Sequence, residues 1–358
     1  ALFWFSLNVY VGGTLINAVI SIFYPPWNSL TANVAGLPLN IAISMLIFWF
    51  LNLAVLYKGM NEVKDFELVA GPLILITLGG LLVYGISLAH GFGPLFSVKG
   101  SESLTTSNIM LGISSMAGSW ATLVLNIPDF TRFSKSQKDQ LIGQAIGLPI
   151  VTVLFSFIAI GIVSTMIYVY HIPSSEAITY VNPVNIMYLF TGNAFLSLLL
   201  GLSLVISLIS VNVAANIVSP VYDFISLFPK KLSTWEKASI TAAIVSFLYV
   251  PWLWYNNAGT IFSILNFIGA GLGSVAGVMI SYYWVLNKTE ISLSDLFLPR
   301  GKYWYLSGYS IRAILSIVIG FLVPLIGLFI PSLSFLYDYG WYLSFFVSMI
   351  VYLIMNME

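Results

Sequence analysis

Residues 142–170 read IGQAIGLPIVTVLFSFIAIGIVSTMIYVY, twenty-nine positions without one charged side chain. A helix rises about 1.5 Å per residue, and roughly 20 apolar residues cross the hydrocarbon core of a bilayer. The stretch is therefore long enough to span a membrane as a single helix. A barrel strand would instead show about ten residues of alternating polarity. The rest of the chain repeats this pattern. Of its 358 residues 59% are hydrophobic and 7% charged, with a mean hydropathy of +0.96. Soluble domains carry about 25% charged residues, so this composition excludes a water-soluble enzyme, a disordered chain and a nucleic-acid binder. Thirteen Lys and Arg balance thirteen Asp and Glu, which leaves no basic field for phosphates. The absence of Cys removes thiolate metal sites, disulfides and thiol nucleophiles together. Two histidines, His90 and His171, are too few for a histidine-built metal site. The chain reads as an all-α polytopic membrane protein.

Apolar runs set against polar breaks predict ten helices, at residues 1–24, 37–57, 68–90, 108–127, 142–170, 193–222, 238–255, 259–286, 311–330 and 338–357. Pro25-Pro26, Gly91-Phe92-Gly93-Pro94, Asn256-Asn257 and Pro331 punctuate them. The longer loop near 171–192 is expected to hold a short interfacial helix at about 185–190. One alternating set of loops collects twelve of the thirteen basic residues, and the opposite set holds Lys99 alone. By the positive-inside rule the basic loops face the cytoplasm and the protein sits in the cytoplasmic membrane. Residue 1 is an Ala inside an apolar run, so residues 1–358 are expected to form one transmembrane domain that lacks its N-terminal part.

With these boundaries none of the charged residues needs to lie at the centre of a span. That argues against a charged central relay and against an intramembrane enzyme with paired carboxylates or an activated nucleophile. Any ligand would be read by neutral amides, hydroxyls and aromatic rings, which suits a small, flat, uncharged polar molecule. Polar residues cluster in three places: Trp4, Asn8 and Asn17; the stretch Gly112-Ile-Ser-Ser-Met-Ala-Gly118-Ser-Trp120; and Ser203, Ser207, Ser210, Asn212 and Asn216. Each has two readings. Small residues in the fourth span either pack helices closely or mark a broken binding helix. Trp4 is either an interfacial anchor or a stacking platform, and Trp120 either packs or stacks on a ligand. Asn212 and Asn216, four apart on one helix face, either bond between helices or meet a substrate. Gly269, Gly271, Gly273 and Gly277 read first as a close-packing surface.

The segment Asn126-Ile-Pro-Asp-Phe-Thr-Arg-Phe-Ser-Lys-Ser-Gln-Lys-Asp-Gln140, followed by Gly143-Gln144, closely resembles a signature of the nucleobase:cation symporter family, type 1. Leu2-Phe-Trp-Phe5, Ser210-Val-Asn-Val-Ala-Ala-Asn-Ile-Val-Ser-Pro220 and Gly277-Val-Met-Ile-Ser-Tyr-Tyr283 agree with it in order, so the resemblance covers essentially the whole chain. It implies a leucine-transporter type of inverted-repeat fold, with the ten helices here standing for helices three to twelve of a twelve-helix parent. It also implies a secondary active transporter that imports a nucleobase or related cyclic amide, of the uracil, cytosine, allantoin or hydantoin class, by alternating access. Transport of another heterocycle such as thiamine or pyridoxine is the alternative, and a non-transporting fragment is a further one. No cofactor is expected beyond a coupling ion, sodium or proton. The partners are the small substrate and the lipid bilayer.

Carried over residue by residue, the resemblance makes Trp4 the ring on which the substrate stacks and Trp120 the ring that sandwiches it, with Gly118 just before it also counted as substrate-binding. Asn8 sits where relatives place Gln or another polar side chain, and Asn216 matches an Asn that meets the substrate's amide edge. For the cation site Ser207 matches a carbonyl donor and Ser210 the first of two hydroxyl ligands. The second hydroxyl position is Val211, which has no side-chain oxygen. Asp129 and Arg132 are expected in a cytoplasmic loop, where an ion pair could form in one access state and open in the other. The short helix at 185–190 and the segment Ser263–Phe267 are expected gates.

Overall fold

The computed structural model describes residues 1–97, 104–173, 176, 183–188, 193–255 and 258–357. The chain is almost entirely helical, and its packing resolves two compact units. Unit 1 comprises Ala1–Ser101 and Asp129–Asn256; unit 2 comprises Glu102–Pro128 and Asn257–Glu358. In chain order α1 (Leu2–Phe23), α2 (Leu39–Leu56), α3 (Met60–Leu88) and α4 (Gly93–Ser97) open unit 1. Helices α5 (Thr106–Trp120) and α6 (Leu123–Asn126) belong to unit 2, and α7 (Pro128–Thr131) carries the chain back. Unit 1 then continues with α8 (Gln137–Ala145), α9 (Val151–Val169), α10 (Pro183–Tyr188), α11 (Ala194–Val211), α12 (Val218–Leu227) and α13 (Trp235–Val245). Unit 2 closes with α14 (Ala258–Ile280), α15 (Ile311–Phe329), α16 (Phe335–Asp338) and α17 (Gly340–Ile354).

Among the described residues eight helical stretches are long and apolar enough to cross a membrane, and α17 is a shorter apolar helix. The protein is thus a helical polytopic membrane protein. The stretch expected to span at 238–255 is different. There α13 stops at Val245, and two 3₁₀ turns, Ser246–Tyr249 and Pro251–Leu253, flank Val250 at φ 39°. Pro251 disfavours the helical conformation at the residue before it, so an apolar run cannot continue as one helix. The expected helix at 185–190 is α10, with residues 189 and 190 outside the described residues.

A second correction concerns charge. Helix α3 begins at Met60 rather than near 68, and this draws Glu67 into a spanning helix. The polar run 61–67 reads as loop by composition. Its inward residues Val63, Phe66, Glu67 and Ala70 nevertheless keep the i, i+3, i+4, i+7 period, while Glu62, Lys64 and Asp65 are exposed. Glu67 therefore lies inside a spanning helix, about 10 Å from its start, where the expected boundary at 68 leaves it in a loop.

Both histidines have a structural role at helix ends. His90 (φ 55°) and His171 (φ 53°) take the left-handed position after α3 and α9. Each is followed by the matching bond of a Schellman motif, Gly91 N–H to Ile86 O at 3.1 Å and Ile172 N–H to Ile167 O at 2.9 Å. At the other ends, Thr105, Asn193 and Ser310 cap α5, α11 and α15 through side chains that accept backbone N–H groups.

In unit 1, α1 packs on α2, on α11 and on the turn after α11, while α3 packs on α9, α11 and α2. In unit 2, α14 packs along α17, α15 and α5. A π-helical turn, Asn212–Ile217, joins α11 to α12. Such turns widen a helix locally and occur often at functional positions.

Candidate substrate and cation sites

In unit 1 the functional candidates lie on α1, on α11 and on the π turn. Trp4 and Asn8 are four residues apart on one face of α1, and both are half-buried. Trp4 belongs to an aromatic cluster: Phe3 meets its ring edge-on at 5.4 Å, stacks on Trp254 at 5.2 Å and touches Tyr249 edge-on at 5.9 Å. Asn8 has no side-chain hydrogen-bond partner among the described residues, so its amide is available to a ligand.

The two asparagines of the π turn divide their roles. Asn212 Nδ2 donates to Asn52 Oδ1 of α2 at 3.1 Å and to Phe5 O of α1 at 3.3 Å. Asn52 Nδ2 in turn donates to Phe48 O at 2.8 Å. Asn212 thus binds three elements together, which is the interhelical reading. Asn216 Nδ2 donates to Asn212 Oδ1 at 3.1 Å, and its own Oδ1 takes no donor among the described residues. That leaves a carbonyl oxygen and one N–H, the donor and acceptor pair that a cyclic amide complements. The Asn212 bond to Phe5 fixes this turn to the part of α1 that carries Trp4. Trp4, Asn8 and Asn216 therefore sit on neighbouring elements of one unit.

The cation candidates are less uniform. Ser210 is 5% exposed and Ser207 half-buried, whereas Val211 is 48% exposed. Ser210 Oγ donates to Glu67 Oε2 of α3 at 2.6 Å. Glu67 Oε1 is buried and has no hydrogen-bond partner. Sequence reading missed Glu67 and Asn52: the first was assigned to a loop, and the second is one polar residue in an apolar run.

In unit 2, α5 runs unbroken through Gly112 and Gly118 and ends at Trp120, which favours the close-packing reading of these small residues over a break among them. The helix is interrupted after Trp120, at Ala121-Thr122, before α6. A Cβ at Gly118 would collide with Leu265 O of α14, which gives this glycine a packing role. Trp120 is 43% exposed. Ser115 Oγ donates to Asn266 Oδ1 at 3.3 Å, and Asn266 Nδ2 is buried without a partner. Asn266 lies in the segment Ser263–Phe267, which is continuous α14 helix, and Tyr337 donates to Ser263 O. A lone Asn in that run carried no signal of its burial. Asp129 and Arg132, in unit 1, do pair, at 3.9 Å, and the Arg132 guanidinium lies 3.8 Å over the Tyr222 ring.

Comparison with known proteins fits this arrangement. The profile of a family described as permease for cytosine/purines, uracil, thiamine, allantoin matches residues 1–348. The allantoin permease of Bacillus subtilis is 36% identical over 360 residues, covering 99% of this chain and 72% of that protein. A purine-uracil permease of Arabidopsis thaliana is 28% identical over 370 residues, covering 98% of this chain and 59% of the relative. Among solved structures, Mhp1, a nucleobase-cation-symport-1 family transporter in a closed conformation with bromovinylhydantoin bound, superposes with a TM-score of 0.72 at 22% identity. It covers 98% of this chain, which spans 72% of Mhp1. The inward-facing conformation of Mhp1 gives a TM-score of 0.71 at 20% identity, covering 99% of this chain and 72% of that one. At these identities the likeness establishes the shared fold, the leucine-transporter type.

Proposed function

The chain belongs to the family of permeases for cytosine/purines, uracil, thiamine and allantoin, and we propose that it imports a nucleobase or related cyclic amide across the cytoplasmic membrane, by alternating access and with a coupling cation. It is a transporter chain and not an enzyme, as its relatives are permeases. The observation that carries the substrate class is Asn216. Its amide is held by Asn212 at one N–H and open at its carbonyl, on a π turn anchored to the α1 segment of Trp4 and Asn8. A neutral amide edge beside an indole face suits a flat ring with adjacent N–H and C=O groups. Stacking on such a face adds about 0.5–1.5 kcal/mol beyond area burial. Trp120, on α5 of unit 2, is a separate candidate ring, 43% exposed within the chain. The basic loops face the cytoplasm.

Uptake of labelled uracil and labelled allantoin by the full-length protein tests this reading. Trp120→Ala and Asn216→Ala are expected to abolish saturable uptake while the protein remains folded in the membrane. Wild-type uptake that survives both substitutions would place the substrate elsewhere. Block by thiamine or pyridoxine, without block by purines or pyrimidines, would transfer the assignment to those heterocycles.

A further inference from the structure

The transport reading requires a place for the coupling cation, and the ligand set implied by family resemblance does not fit this chain. Val211, where the second hydroxyl is expected, has no oxygen and faces outward, and the Ser210 hydroxyl is engaged with Glu67. We propose that Glu67 is the missing ligand: its carboxylate and the Ser210 hydroxyl together hold the monovalent cation, sodium or proton, that drives transport. This inference rests on the transporter reading above.

Three observations support it. Glu67 lies seven residues into α3, about 10 Å along the axis from the helix start. Its Oε2 accepts from Ser210 at 2.6 Å, and its Oε1 is buried with no partner, so one carboxylate oxygen is open to a cation. No cationic side chain neutralises it among the described residues. The elements packed on α3, namely α2, α9, α11 and the π turn, contain no Asp, Glu, Lys, Arg or His. On α3 itself Glu62, Lys64 and Asp65 are exposed. Tyr168 of α9 lies beyond Thr165, which packs on Gly85, and that contact is about 27 Å along α3 from Glu67. An ionised carboxylate in a spanning helix is costly unless paired, and such residues mark ion or proton pathways. Sodium accepts hard oxygen ligands, and a proton would sit on the carboxylate; both use the same two side chains.

The geometry also supplies a route for coupling. Ser210 lies two residues before the π turn that carries Asn212 and Asn216. A cation joining Glu67 to Ser210 fixes α11 against α3 six residues before the amide assigned to the substrate. Loss of the cation leaves the carboxylate held by one hydroxyl, and α11 is then freer to move.

The test uses the full-length protein purified and reconstituted in vesicles, with labelled uracil or allantoin. At zero membrane potential, a tenfold gradient of the driving ion gives about tenfold accumulation at one ion per substrate. Separate inward gradients of sodium and of protons identify which ion it is. Glu67→Gln is expected to reduce that accumulation to onefold; Glu67→Asp, which keeps a carboxylate, should restore part of it. A second readout needs no substrate: the melting temperature of the solubilised protein against sodium concentration and against pH. Wild type should respond to one of the two, and Glu67→Gln should lose that response. Ser210→Ala, which retains the carboxylate, should weaken it several-fold and serves as the test if Glu67→Gln does not fold. Undiminished accumulation or an unchanged melting response in these variants overturns the assignment, as does a wild-type protein that responds to neither ion. If no substrate moves but the melting response depends on Glu67, the cation site stands and the substrate reading falls.

Discussion

The two units hold their helices together by the same means in different proportion. In unit 1 a chain of amides is prominent: Asn216 donates to Asn212, Asn212 to Asn52 and to the Phe5 carbonyl, and Asn52 to the Phe48 carbonyl. In unit 2 close approach at glycines is the more prominent means, beside single bonds such as Ser115 to Asn266. Gly269 rests on Gly118, a Cβ at Gly273 would come within 2.7 Å of Trp341 O, and one at Gly320 within 2.8 Å of Ser344 O. Lipid tails are as apolar as Leu, so helices in a membrane associate through close packing and interhelical hydrogen bonds. This chain uses close packing in both units, a Cβ at Gly13 coming within 2.6 Å of the Met45 backbone, and adds the amide chain in unit 1. A hydrogen-bonded seam can exchange a partner for a ligand, whereas a glycine seam has no room for exchange. The amide chain therefore suits unit 1 to recognising a polar molecule.

The largest effect should come from filling the glycine seam. A side chain at Gly277 would strike Phe345 O and Ser348 Oγ, and a backbone carbonyl cannot swing aside. Gly277→Leu should lower stability by about 3 kcal/mol or more, seen as lost folded yield and a lowered melting temperature. Gly271 is the control. Its Cβ would make ordinary contact with the Phe321 ring at 3.7 Å, so Gly271→Ala should cost less than about 1 kcal/mol. Equal damage from both would show that α14 does not rely on backbone approach.

Smaller, and different in kind, are the effects expected in the amide chain. Asn212→Leu strips partners from Asn216 and Asn52 and should destabilise by about 1–2 kcal/mol. Asn216→Leu leaves only Asn212 Oδ1 without its donor and should cost about 0.6 kcal/mol, yet it should abolish uptake. Melting and uptake measured on both variants separate the two roles. If Asn216→Leu proves the more destabilising, or still transports, the division between structural and substrate-facing asparagine is wrong.

The sequence carries this contrast unevenly. The helical membrane class was legible because long uncharged runs have one physical solution in lipid, satisfaction of every backbone group within the segment. The glycines of α14 were legible as a packing surface, since small residues at that density have few other uses in a span. Asn212 and Asn216 stayed ambiguous because spacing puts them on one face without saying what the face meets. Glu67 was misplaced for a related reason. A run containing Asn61, Glu62, Lys64 and Asp65 has the composition of a loop, and only the inward period of Val63, Phe66, Glu67 and Ala70 shows that the helix has already begun. The end of α13 was hidden as well: a hydropathy count does not register that Pro251 restricts the residue before it.

The smallest expected stability effect lies in the Asn126–Gln140 motif, whose sequence signal was the strongest. Asp129 and Arg132 meet at 3.9 Å with the Arg132 side chain 45% exposed, and an exposed pair of that geometry contributes less than about 0.5 kcal/mol. The guanidinium also lies over Tyr222 of α12, a contact worth about 0.5–1 kcal/mol at an exposed site. Tyr222→Leu should therefore lower the melting temperature more than Asp129→Asn does. A motif so distinctive with so little folding energy in it is expected to act on rate. In a double-mutant cycle of Asp129→Asn and Arg132→Gln, the coupling should appear in the transport rate and leave substrate affinity nearly unchanged. An equal loss in both would mean that the pair merely shapes the substrate site. Opening the ion pair between access states requires it to be weak, and at 3.9 Å and half in solvent it is weak enough to be broken once per cycle.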